Sequence, residues 1–202
     1  LQDHGIKDSK RGYNERVYAL LERVGLAKKV SRMYAHELSG GMKQRVAMAI
    51  ATCLNPSVIV ADEPTSALDV IVQRQVMITL GRLQEGLEAS VVLVGHDMGL
   101  VAQFADRIGV MYAGKMVELG DVKKVFKKPH HAYTRMLIES LPDIDKRKPK
   151  LSGIDGLPPS LLNIKPGCSF CLRINKETIE EPQWVEIEKG HFFSECKSCV
   201  DY

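Results

Sequence analysis

The chain has 202 residues, 45% of them hydrophobic and 26% charged, with a formal net charge of +3. That is enough for one substantial core and a small appendage, and no apolar run approaches the roughly eighteen residues that span a bilayer. So small a net charge gives no argument for a nucleic-acid partner, and the locally basic stretch from Lys123 to Lys150 is expected to be a solvated face. The sequence starts at Leu1 with neither a signal nor a transit pattern, as expected of a piece of a longer protein.

Val17, Leu20, Leu21 and Val24 recur at helical spacing up to Gly25, which predicts an amphipathic helix between Gly12 and Gly25. Ser39 stands where a helix N-cap belongs. Val46, Ala47, Ala49, Ile50 and Leu54 predict that the helix after it is largely buried, with Cys53 as a small buried hydrophobe. Val58 to Ala61 and Val91 to Val94 are short apolar runs expected as parallel strands covered on both faces, with Val70 to Leu87 as the crossover helix. Farther on, Ile108 to Tyr112 and Lys115 to Glu118 predict strands joined by a tight turn at Ala113-Gly114. Asp121 is placed to cap a short helix to Phe126, and a further helix is expected from His131 to Ser140.

The charged, proline-containing stretch 142–150 predicts a linker between a domain at 1–141 and an extension at 151–202. That extension is rich in Gly and Pro, and its core looks too small to hold without a cross-link. Four of the five cysteines lie there. Cys168-x-x-Cys171 and Cys196-x-x-Cys199 form two tight pairs, a spacing that lets both grip one metal centre and that by itself favours tetrahedral zinc.

Asp62 and Glu63 directly follow an apolar strand, and ligands of open α/β sheets bind at such carboxyl ends. Asp62 is placed to hold Mg²⁺ through water and Glu63 to orient and activate an attacking water. The Ser39-Gly40-Gly41 turn offers backbone N–H groups at a helix start, where phosphate oxygens are favoured. His96 follows the second strand and can hydrogen-bond a phosphate.

Leu38-Ser39-Gly40-Gly41-Met42-Lys43-Gln44-Arg45, followed by Val58 to Ala61 and Asp62-Glu63-Pro64-Thr65-Ser66-Ala67-Leu68-Asp69, resembles the signature motif, Walker B strand and D-loop of ATP-binding cassette (ABC) ATPases. No Gly-x-x-x-x-Gly-Lys-Ser/Thr phosphate loop occurs among the 202 residues. The resemblance implies an α/β fold, the C-terminal part of a cassette with a parallel sheet and flanking helices, plus a small loop-rich extension bearing cysteines. It implies ATP and Mg²⁺ as cofactors, Ser39, Gly40, Gly41 and Gln44 facing the nucleotide of a second ATPase subunit, His96 as switch histidine, and Asp69 as the coupling residue between sites.

The segment Asp106 to Lys115 looks like the strands after the switch in importer ATPases, and His130-His131-Ala132-Tyr133-Thr134-Arg135 with Ser140-Leu141-Pro142 resembles the oligopeptide, dipeptide and nickel importers. Gly156-Leu157-Pro158-Pro159, Gly167-Cys168-Ser169-Phe170 with Arg173, and Gly190-His191 before Cys196 resemble that family's C-terminal extension. Their histidines are read as polar surface residues rather than ligands. The resemblance implies transmembrane permease subunits and an extracytoplasmic substrate-binding protein as partners, at the cytoplasmic face of the membrane. For Cys168, Cys171, Cys196 and Cys199 it implies a four-iron four-sulfur cluster, with zinc as the alternative. Here the chain departs from the family, whose second cysteine would fall at Ile174. A non-catalytic remnant and a chromosome-maintenance or repair ATPase are the other readings, and the latter's sustained heptads are missing.

Overall fold

The computed structural model describes residues 4–141, 154, 156–162, 166–176 and 180–199. The chain forms two compact units, Leu1–His96 and Asp97–Tyr202. The predicted linker at 142–150 lies outside the described residues.

In the first unit, α1 (Lys10–Arg23) is capped by Ser9, whose Oγ accepts from Gly12 N at 3.0 Å, and it buries Leu21. Two 3-10 turns at Lys28–Arg32 and Ala35–Glu37 lead to α2 (Gly40–Thr52). Then come β1 (Val58–Asp62), α3 (Val70–Leu87) and β2 (Ser90–Val94). The strands pair in parallel with Val60 opposite Val92, an arrangement that needs a crossover such as α3. Asp69 caps that helix, and Val76, Met77, Leu80 and Leu83 form its buried stripe.

The expectation of strands covered on both faces is corrected here. Ile59 and Ala61 are buried, yet Val58, Val60, Val92 and Val94 are exposed. Alternation along a strand sends these two sets to opposite faces, and among the described residues only one face is covered. The same holds for α2, where Met48, Ala49 and Thr52 turn inward while Ala47, Ile50 and Leu54 are exposed and Cys53 is half-buried.

The second unit begins with α4 (Met98–Phe104), capped by Asp97, which periodicity did not reveal. Strands β3 (Arg107–Tyr112) and β4 (Lys115–Asp121) form a hairpin whose turn residues, Ala113 and Gly114, both take positive φ, 48° and 79°. Such a turn matches the strands' twist. Asp121 caps α5 (Val122–Lys127) and His131 caps α6 (Ala132–Glu139). The tail adds α7 (Ser169–Arg173), β5 (Gln183–Glu188) and β6 (His191–Glu195). Because β6 pairs with β4, the tail strands complete one antiparallel sheet in the order β3-β4-β6-β5. Phe170 and the four tail cysteines pack with Val110, Tyr112, Val117 and Val125. The extension thus shares a core with the hairpin before it.

Candidate functional site

At the carboxyl end of β1, Asp62 is exposed and the next residue turns sharply. Glu63 N donates to Val94 O at 2.9 Å, extending the parallel ladder by one step, while Glu63 itself takes φ 42°. Its carbonyl then accepts from Ser66 N at 3.1 Å. This backbone sends the Glu63 carboxylate to His96, whose Nδ1 lies 3.1 Å from Oε1. Both side chains are largely open to solvent. A carboxylate directed by an imidazole, beside a second carboxylate at the ends of two parallel strands, can orient a water and accept its proton.

Ser39 Oγ accepts from Met42 N at 3.3 Å, so its hydroxyl caps α2 and keeps its own hydrogen free to donate. A Cβ on Gly40 would come within 2.8 Å of Leu68 Cδ2, and one on Gly41 would run into Val72. Both glycines therefore serve close packing of this turn on the loop after Thr65 and on α3. Gln44 is half-buried, and Arg45 Nη2 donates to Gln75 Oε1 at 3.3 Å. Asp69 Oδ1 accepts from Val72 N at 2.9 Å, and Gln73 Nε2 donates to Thr65 O at 3.2 Å. The loop from Glu63 to Asp69 is thereby tied at both ends, with Ala67 also at positive φ, 58°.

In the second unit Glu118 is fully buried. Its carboxylate accepts from His130 N at 2.9 Å, from His131 N at 3.0 Å, and meets His191 Nε2 at 2.8 Å. The reading of these histidines as surface residues is corrected, since His131 and His191 are each 2% exposed. A carboxylate buried in a strand needs donors on every side, and these residues supply them. Burial pushes the His130 imidazole below its usual range, against the pull of Glu118, and it packs edge-on to His191.

Cys168, Cys171, Cys196 and Cys199 are all buried, and their sulfurs lie within 4.8 Å of one another. Each Cys-x-x-Cys pair closes a backbone turn, Cys171 N to Cys168 O at 3.1 Å and Cys199 N to Cys196 O at 3.2 Å. Across the pairs, Cys168 Sγ is 3.9 Å from Cys199 Sγ and Cys171 Sγ is 3.5 Å from Cys196 Sγ. The hydrogen bond with Cys199 pulls the Cys168 thiol well below its ordinary pKa, while burial pushes Cys171 up.

Residues 2–66 match the family described as ABC transporter, and residues 117–180 match the one described as oligopeptide/dipeptide transporter, C-terminal region. The chain belongs to the ABC transporter ATP-binding proteins of the oligopeptide/dipeptide family. Dipeptide transport ATP-binding protein DppD of Bacillus subtilis (strain 168) is 44% identical over 169 residues, which cover 83% of this chain and 50% of that protein. Oligopeptide transport ATP-binding protein OppD of the same organism is 39% identical, covering 92% and 54%. The chain spans about half the length of these relatives. Among solved structures, cbiO1 from Clostridium perfringens, part of the ABC transporter complex cbiONQ, is 30% identical with a TM-score of 0.56, over 63% of this chain and 50% of that one. The dimeric cassette MJ0796 bound to ADP and Pi is 32% identical with a TM-score of 0.52, over 58% and 50%. The fold is thus that of the ABC ATPase cassette, and no described helix is long and apolar enough to cross a membrane.

The structure brings Glu63 to His96 and the Ser39-Gly40-Gly41 turn to Leu68. Glu118 is the residue that sequence reasoning missed. Its one signal, a Glu among the apolar residues of a predicted strand, reads equally well as a solvent-facing position.

Proposed function

We propose that this chain, within a subunit of its relatives' length, forms part of an ATP-hydrolysing engine for peptide import. The observation that carries the reading is the Glu63–His96 pair at the ends of two parallel strands, next in sequence to the tied loop that ends at Asp69. ATP bound with Mg²⁺ supplies the phosphoryl group whose hydrolysis drives transport. Asp62 holds the cation through water, Glu63 orients the attacking water and takes up its proton, and His96 fixes the carboxylate and senses the terminal phosphate. Ser39, Gly40, Gly41 and Gln44 serve the nucleotide of a second ATPase subunit, identical or homologous, and Asp69 couples the two sites. Nothing in the charge favours nucleic acid.

The subunit works at the cytoplasmic face of a membrane, peripherally, on transmembrane permease subunits that receive substrate from an extracytoplasmic binding protein. The four buried thiols are the ligand set of a metal centre, an iron-sulfur cluster or zinc. Reconstitution of the full-length subunit with its permease and binding protein in proteoliposomes tests the transport reading. Labelled dipeptides or oligopeptides should accumulate only when ATP and Mg²⁺ are on the subunit's side. Accumulation of nickel without peptide, or no ATP dependence, would overturn it.

A further inference from the structure

We propose that Cys168, Cys171, Cys196 and Cys199 hold a single tetrahedral zinc ion rather than an iron-sulfur cluster, with His131 Nε2–H directed at the Cys168 sulfur. The proposal rests on the reading of these thiols as metal ligands and settles which centre they hold. Four sulfurs around one ion at about 2.3 Å stand about 3.8 Å apart, the edge of that tetrahedron. The two cross-pair separations, 3.9 and 3.5 Å, bracket that edge, and every ligand pair falls within 4.8 Å. A four-iron cluster places an iron under each cysteine and sulfide between the irons, which spreads the outer sulfurs well beyond a one-ion edge. The cluster implied by the resemblance does not fit this spacing. The ligand set points the same way, since Cys168-x-x-Cys171 and Cys196-x-x-Cys199 make a symmetric pair of Cys-x-x-Cys turns of the kind that grips one zinc ion.

Four thiolates and a dication leave a buried net charge of minus two, which needs hydrogen-bond donors close by. His131 is built to give one. Its Nδ1 accepts from Tyr133 N at 3.1 Å, so the neutral ring carries its proton on Nε2. That Nε2 is buried with no hydrogen-bond partner, and His131 shares a small cavity wall with Cys168, Ser169 and Phe170, where a sulfur made thiolate by the metal would accept from it. Glu118, accepting from His131 N, fixes the backbone of this donor. Zinc binding releases the thiol protons and leaves the imidazole proton in place.

The test is metal and sulfide analysis of the full chain, expressed and purified anaerobically with iron and zinc both supplied, followed by cobalt(II) substitution. One zinc per chain, no acid-labile sulfide, and a cobalt form with intense sulfur-to-metal charge transfer support a single tetrahedral ion. A brown chain with iron and sulfide overturns the zinc assignment while preserving the metal reading. A folded chain that takes up no metal, whether its thiols are free or oxidised, overturns both. For the donor, His131→Phe should weaken cobalt affinity about tenfold or more and move the charge-transfer band to lower energy, because the sulfur electrons are no longer held by a proton. His131→Gln, which can still present an N–H, should restore most of the band position. An unchanged band in His131→Phe, at matched far-ultraviolet circular dichroism, overturns the role of His131.

Discussion

The proposed role of Glu63, taking a proton from water, needs a carboxylate of fixed direction, and two neighbours direct this side chain. The backbone bond to Val94 O sets where the side chain leaves the chain, and His96 sets where it ends. Asp62, Glu63 and His96 were legible in the sequence because strand ends are marked by apolar runs. Their direct partnership was not, since it depends on Glu63 taking a left-handed backbone conformation that no residue type there announces. The glycines of the signature turn were legible for one reason and matter for a second. Gly41 faces Val72 without room for a methyl group, so Gly41→Ala should destabilise the first unit by on the order of 1–3 kcal/mol. Urea unfolding of the chain checks this, and an unchanged midpoint would show that α2 and α3 can part at no cost.

At the scale of elements, local signals gave α3, both hairpin strands and the helix caps at Ser39 and Asp121, because caps and turns are short-range chemistry, while the caps at Asp69 and His131 came only with the structure. What escaped was long-range. Strand β6 pairs with β4 from more than seventy residues away in sequence, and the Glu118–His191 contact across that pairing has no local signature. The contact holds three segments together, so Glu118→Ala should cost the second unit about 3–5 kcal/mol, because two backbone N–H groups and a buried imidazole lose their acceptor. Thermal unfolding followed by circular dichroism measures the loss. A shift no larger than that of an exposed substitution such as Glu195→Ala would remove the network from the account of stability.

For the whole molecule, the residues proposed to serve the nucleotide lie in one unit, Leu1–His96, and the four buried thiols in the other, Asp97–Tyr202. If the four thiols hold the proposed metal, stripping it should lower hydrogen-exchange protection in α7, β5 and β6 while leaving α2 and α3 protected, since the centre joins the turn that opens α7 to the turn that follows β6. Equal loss in both units would show that the division is not energetic. The one-sided covering of β1 and β2 belongs to this scale too, as their sequence is apolar on both faces while only Ile59 and Ala61 are buried in β1. In the proposed function, Glu63 performs the water activation in ATP hydrolysis. Mg²⁺-dependent ATP turnover by the full-length subunit, compared with its Glu63→Gln variant, tests it most directly. The amide keeps the shape and loses the base, so turnover should fall about a hundredfold or more while ATP binding is retained. Near-normal turnover in the variant would contradict the account.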